Sequence, residues 1–398
     1  MLLLLASIRS EVVMMGAASD FFVERLSCSR AQASKAEDRM LPSLAAKIEA
    51  RGAERVRVHL MARMELNDAQ TKKLLLTMPT LLCIPEGKIN SKLEFMQERL
   101  QLTDAQLRKV VTNLPASLGM QPDSIDEKLC YLEGRLGLSA PELRKLVCTL
   151  PGVLSRSVEG TMAPKLDALQ RRLGLSDSEL RAVVVRFPAL LGYSYEQKIA
   201  PALERLQARL TIDDAQLRFC VRRQPSLLGY SHEANVAPKL DALQRDLALS
   251  DDELRRVVLG HPGVLGLSFA DNVAPKLRFL RDAGVATPEL RALAVAFPPL
   301  LAYSLPGRLR PRVLRAKELK LPLADVLTRI ALTDDKFDAW CTRTSPLAQQ
   351  LLLERISRER FKLWNSDNPA VQAMLAPQGF NGGTADDGDE SDEAEGDG

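Results

Sequence analysis

The chain has little of what most active sites are made from. Three histidines occur in 398 residues, and His59, His232 and His261 are scattered along it. There is no Walker loop, no GxGxxG after a strand and no HExxH, so the sequence offers neither a phosphate cradle nor a zinc-protease helix. Ser231-His-Glu-Ala-Asn235 resembles an active-site fragment. It fills the same slot as Ser194-Tyr-Glu-Gln-Lys198, however, and reads as repeat variation. No catalytic residue, metal site, cofactor or small-molecule substrate is assigned, and the chain is not expected to be an enzyme. The six cysteines (Cys28, Cys83, Cys130, Cys148, Cys220, Cys341) form no CxxC pair. They read as small buried apolar residues in a reducing compartment. No apolar run approaches the roughly 18 residues of a membrane span. Aromatics are 5% of the chain, and no segment carries a strand signal.

Leucine and proline are what the chain does have. It is 46% hydrophobic and 26% charged, enough apolar content for a sizeable core. A proline closes an apolar run at Pro79, Pro115, Pro151, Pro188, Pro225, Pro262 and Pro298, spaced 36, 36, 37, 37, 37 and 36 residues apart. The local strings are MPTLL, LPASL, LPGVL, FPALL, QPSLL, HPGVL and FPPLL. Seven in-register copies make a repeat.

Twelve residues before each proline lies a helix-start signal. Ser139…Glu142, Ser176…Glu179 and Ser250…Glu253 are capping boxes, and Asn67…Gln70, Thr103…Gln106 and Asp213…Gln216 are variants. The seventh copy has Ala286 in that slot. Leu180, Val183, Val184 and Phe187 then follow at helical spacing, so a helix of about three turns runs from cap to proline. A second helical stretch lies upstream, with Leu166, Leu169 and Leu173 in one copy. It often opens on a proline (Pro164, Pro201, Pro238, Pro275, Pro311), which suits a first helical position. Each unit is therefore a first helix, a short link (Leu-Gly-Leu in two copies), a second helix and a proline-started turn. Such units bury their faces only by stacking. The expected fold is all-α: an α-solenoid of about seven 36–37-residue repeats, forming a curved superhelix.

The Pro-x-Leu-Leu endings, the Pro-Lys-Leu helix starts and the Leu-Gly-Leu links resemble the mitochondrial transcription termination factor (mTERF) family over roughly residues 50–345. ALTDDKFDAW at 331–340 resembles the family's C-terminal segment. The resemblance implies repeats of two helices plus a short 3₁₀ turn. It implies a monomer in a mitochondrion or chloroplast that binds double-stranded DNA and terminates or regulates transcription. Structured RNA, in intron splicing or ribosome assembly, is the alternative. A protein-binding scaffold without nucleic acid is the reading from a different class.

The charge pattern comes from the residues themselves. One basic row follows the second-helix leucine: Lys72, Arg108, Arg144, Arg181, Arg218, Arg255 and Arg291. Another lies early in the first helix: Lys92, Lys128, Lys165, Lys239, Lys276 and Arg312, with Ala202 in the remaining copy. Stacking lines up equivalent positions, so each row is a candidate ridge for phosphate. Glu159, Glu196 and Glu233 precede the second row by six residues and offer ion-pair partners instead. A denser cluster, RLRPRVLRAKELK, holds Arg308, Arg310, Arg312 and Arg315 and is a third candidate. Tyr193, Tyr230 and Tyr303 recur after the Leu-Leu pair and read as packing residues.

The boundaries follow. Residues 1–45 are an N-terminal extension with an atypical targeting segment, having a short apolar run, no basic start and early acids at Glu11 and Asp20. Residues 46–320 are the repeats, 321–378 a helical cap region, and 379–398 an acidic tail read as disordered. The tail's eight acids leave the rest of the chain at +3 + 8 = +11, so the tail is also a candidate competitor for nucleic acid.

Overall fold

The structure, a computed structural model, describes residues 18–45 and 50–367. Residues 1–17 of the N-terminal extension, read as a targeting segment, and the acidic tail lie outside these. No strand occurs among the described residues, and the chain is an all-α repeat solenoid as its periodicity predicts. It divides into two compact units, Met1–Tyr303 and Ser304–Gly398.

In the first of these, seven repeats follow one plan. Repeat 4 is representative: a first helix Ala163–Leu173, a second helix Asp177–Arg186 and a 3₁₀ turn Pro188–Gly192. The second helix starts where the capping box predicts. Ser176 Oγ accepts from Glu179 N at 3.2 Å, and Ser176 N donates to Glu179 Oε2 at 2.9 Å. It stops because a residue before proline is excluded from the α region. Phe187 has φ −138° and ψ 70°, and Met78, Leu114, Leu150, Gln224, His261 and Phe297 adopt nearly the same angles before their prolines. The turn then buries its proline and its apolar pair: Pro188, Leu190 and Leu191 are all buried.

Between the two helices the chain passes through one left-handed residue. Gly137 (φ 60°) and Gly174 (φ 58°) hold this place in two repeats, but Gln101, Thr211 and Ala248 hold it elsewhere at φ 50–52°. A side chain there costs about 1–2 kcal/mol relative to glycine's freedom.

The first helix begins differently from the proline-first reading. From repeat 4 onward a five-residue π turn precedes it: Val158–Met162, Tyr195–Ile199, His232–Val236 and Phe269–Val273. Pro164 therefore stands second in the α-helical stretch, not at its opening. Proline has no N–H for an i→i−4 bond, and the widened turn ahead of it is closed by Met162 N donating to Ser157 O, five residues back. His232–Val236 forms this turn just as Tyr195–Ile199 does, so the histidine fragment is an ordinary repeat start.

The second unit contains a π turn Leu305–Leu309 and helices Arg310–Glu318, Leu323–Thr328, Asp334–Thr344 and Pro346–Asp367. Its core gathers Ala316, Leu319, Leu321, Val326, Phe337, Cys341 and Ala348. All six cysteines are free thiols. Cys28, Cys220 and Cys341 are buried as expected, Cys83 and Cys148 are half-buried, and Cys130 is exposed. Burial pushes the Cys220 thiol up to about 12. Among the described residues no helix is long and apolar enough to cross a membrane.

Candidate nucleic-acid interface

The basic row on the second helices is largely occupied by the protein's own backbone. The last carbonyls of a helix lack intrahelical partners, and cations near a helix C-terminus are favourable. Arg108 Nε donates to Met64 O at 2.5 Å, Arg144 Nε to Leu100 O at 3.1 Å, Arg218 Nε to Leu173 O at 2.6 Å and Arg255 Nε to Leu210 O at 2.9 Å. Each acceptor ends the first helix of the preceding repeat. Lys72 Nζ likewise reaches Ser27 O at 2.6 Å. Arg181 and Arg291 depart from the pattern. Arg181 pairs with Glu142 at 2.6 Å and Arg291 with Glu253 at 2.7 Å, the capping-box glutamates of the preceding repeats. Both carboxyls fall to about 2, Glu142 chiefly through the Ser139 N–H and Glu253 chiefly through Arg291.

The first-helix row does not form an exposed ridge: its ammonium groups turn inward. Lys92 Nζ donates to Leu118 O, Lys165 to Leu191 O, Lys239 to Leu265 O and Lys276 to Leu301 O, all at 2.7–2.8 Å. Each acceptor closes the 3₁₀ turn of the same repeat. Lys165 and Lys276 are 4% and 3% exposed. Burial pulls Lys165 down to about 8, helped by the Arg156 charge and opposed by Glu196. Lys128 instead folds back onto Ser124. The glutamate pairing weighed for this row does not occur at Glu233, which meets Arg205. The dense cluster in the second unit also splits. Arg312 is buried and donates to Ile330 O, Leu332 O and Asp334 Oδ1. Arg310 and Arg315 are exposed, with Arg315 3.4 Å from Glu318, and Arg308 is half-buried in the π turn.

A further arginine row, unread in the sequence, ties neighbouring first helices together. Arg63 reaches Gln97, Arg99 reaches Glu133, Arg135 reaches Gln170, Arg172 reaches Gln207 and Arg209 reaches Gln244, each one repeat ahead. The tyrosines pack in their turns: the rings of Phe187 and Tyr193 lie 6.0 Å apart, and those of Phe297 and Tyr303 lie 6.1 Å apart.

What remains outward is the next residue along. Lys73, Lys109, Lys145 and Arg256 follow directly on Lys72, Arg108, Arg144 and Arg255, and all four are exposed. None makes an ion pair among the described residues. Arg186 and Arg223 stand four residues beyond the same register position, hence on the same helix face, and Arg222 stands beside them. At that register position repeat 4 has Ala182 and repeat 5 has Phe219, a residue 40% exposed. Arg186 donates to the carbonyls of Arg222 and Arg223, both at 2.8 Å, across the joint between repeats 4 and 5. A stacked set of second helices thus presents a line of cations in solvent, which is what a polyanion requires.

Fold and surface together define a class: a helical-repeat protein with a basic second-helix face. The mTERF family model matches residues 23–211 and 206–333, and the chain belongs to that family. Its proteins are nucleic-acid-binding regulators of organellar gene expression. No curated protein matches the chain.

Proposed function

We propose that this protein binds double-stranded DNA in a mitochondrion or chloroplast and there terminates or regulates transcription, with the outer face of the second helices as the contact. The observation that carries this reading is the recurrence of unpaired, exposed Lys73, Lys109, Lys145 and Arg256 at one register position. The neighbouring Lys72, Arg108, Arg144, Arg218 and Arg255 support the interface indirectly by fixing the helices that present it. Within the second unit, taken by itself, exposed Arg310 and Arg315 are further candidate contacts.

The test is binding of the full chain to duplex DNA and to structured RNA across a salt series. Affinity is expected to fall as salt rises, because phosphate contacts release counterions, and to be higher for DNA. Reversing Lys73, Lys109 and Lys145 together should weaken binding and flatten the salt dependence. Absence of binding, or affinity indifferent to salt, overturns the nucleic-acid reading. Tighter binding of structured RNA moves the proposal to RNA.

A further inference from the structure

The second-helix arginines choose between two acceptors, and the capping box of the preceding repeat sets the choice. Where that box ends in glutamine (Gln70, Gln106 or Gln216), the next arginine bonds the carbonyl that ends the preceding first helix: Arg108 to Met64 O, Arg144 to Leu100 O and Arg255 to Leu210 O. Where it ends in Glu142 or Glu253, Arg181 and Arg291 take the carboxylate instead. Glu179 completes the set. It is already paired with Arg222 at 2.8 Å, and Arg218 goes to Leu173 O at 2.6 Å, as it would beside glutamine. The cause is charge: a guanidinium gains more from a full negative charge than from a neutral carbonyl, and a glutamine amide exerts no such pull.

At the joint between repeats 3 and 4 this leaves Leu136 O without the arginine that its counterparts receive. A hollow of about 490 Å³ opens there, lined by Leu136 and Gly137 on one side and by Asp177, Ser178 and Arg181 on the other. A Cβ built on Gly137 would meet nothing within 4 Å, whereas one on Gly174, at the next joint, would meet Arg218 Nη2 at 2.7 Å. The joint between repeats 6 and 7 keeps a substitute, since Arg281 donates to Asp246 O at 2.5 Å. Repeat geometry also changes between repeats 3 and 4. The first helices Ala50–Met64, Glu86–Leu100 and Pro122–Leu136 are α-helical throughout, and from repeat 4 onward a π turn comes first. The proline spacing lengthens there from 36 to 37 residues, and the wider turn absorbs the added residue. Arg135 still joins the two first helices, through Asp167 at 2.9 Å and Gln170 at 2.5 Å. The joint can therefore pivot on its first-helix side while its second-helix side opens and closes.

We propose that the joint between repeats 3 and 4 is a hinge of the solenoid and that Arg181 is its latch, drawn open by Glu142 and closed on the Leu136 carbonyl. The hollow is the space into which the guanidinium returns on closing. An ion pair with an exposed arginine contributes little, so a small differential interaction with a bound partner shifts the latch. Moving it changes the spacing between Lys145 of repeat 3 and Arg186 of repeat 4 on the second-helix face. The hinge does not depend on which partner that face binds.

Pulsed electron-spin distance measurements on the full-length chain test it, with spin labels carried by unnatural amino acids at exposed Ala105 and Ala215, in repeats 2 and 5. The native chain should give a broad distance distribution. Glu142→Gln keeps a capping box of the kind Gln106 already forms, and should narrow the distribution to a single peak by releasing Arg181 to Leu136 O. Arg181→Met, which has neither latch position, should stay as broad as the native chain. Adding Arg222→Met to Glu142→Gln frees Glu179 to draw Arg218 away from Leu173 O, and should restore the breadth by unlatching the next joint. Circular dichroism spectra like the native one confirm that each variant folds. A crystal structure of Glu142→Gln should place Arg181 Nε on Leu136 O. A native distribution no broader than that of Glu142→Gln, an Arg181→Met distribution as narrow as that of Glu142→Gln, or Arg181 still away from Leu136 O in the Glu142→Gln crystal overturns the proposal. None of these readouts involves nucleic acid, so failure of the nucleic-acid reading leaves the hinge standing.

Discussion

The Lys165 ammonium lies 2.7 Å from the Leu191 carbonyl oxygen, and the lysine that carries it is 4% exposed. A residue that looked like a phosphate ligand is a tether between the first helix of its repeat and the turn that ends it. A buried charge is costly unless it is bonded, and this one has found a backbone acceptor.

That tether has a pH signature. The folded-state value near 8 lies below the ordinary 10.5, so between those pH values the unfolded chain binds more protons than the folded one. Stability should therefore rise with pH across that window and be lowest below it, where folding must accommodate the charged form. Urea midpoints measured from pH 7.5 to 10.5 should climb for the native chain and climb less for Lys165→Met.

The backbone-bonded arginines and the exposed lysines of the second helices should separate cleanly by phenotype. Arg218→Met removes the donor at 2.6 Å from Leu173 O and should lower stability by about 1–2 kcal/mol in thermal melts. Lys109→Glu and Lys145→Glu should leave the melt unchanged and reduce nucleic-acid affinity. A melt that drops for the lysine variants would place them inside the fold instead.

Left-handed link residues give a stability prediction of either sign. Thr211→Gly relieves a side chain at φ 50° and should stabilise by about 0.5–1 kcal/mol once glycine's greater freedom in the unfolded chain is deducted. Gly174→Ala should do the reverse by about 1–2 kcal/mol. Its new Cβ would also stand 2.7 Å from Arg218 Nη2, disturbing the cap on Leu173. Denaturant midpoints of the two variants should move in opposite directions.

In the second unit, Arg312→Met strands the carbonyls of Ile330 and Leu332, which its guanidinium now satisfies. Each buried acceptor left unmade costs about 1–3 kcal/mol. Thermal melts should register that loss. Arg315→Met, at an exposed position, should leave the melt unchanged.

The repeat was legible because its signals are local. A proline excludes the residue before it from the α region, and a capping box satisfies orphan N–H groups within four residues, so both ends of the second helix could be placed from sequence. The π turns were not legible, since nothing local distinguishes a wide turn from a tight one before Pro164. The charge rows were read at the right spacing, but the exposed cations of the second helices stand one residue further on. Leu107, Val110 and Val111 define the buried stripe of their helix; on that wheel Arg108 falls at the edge and Lys109 opposite. That calculation separates a side chain able to reach back to Met64 O from one that faces water. The inward turn of Lys165 depends on a carbonyl 26 residues away, which no periodicity announces.

The lysine tether is present in repeats 2, 4, 6 and 7, through Lys92, Lys165, Lys239 and Lys276. Repeat 3 has turned its Lys128 aside, and repeat 5 has Ala202 in its place. From repeat 2 to repeat 6, then, braced and unbraced copies alternate. A strain imposed on one unbraced repeat is confined by braced neighbours on both sides. Repeat 5 is such a slack link: its first helix can shift against its own turn while the repeats on either side hold theirs.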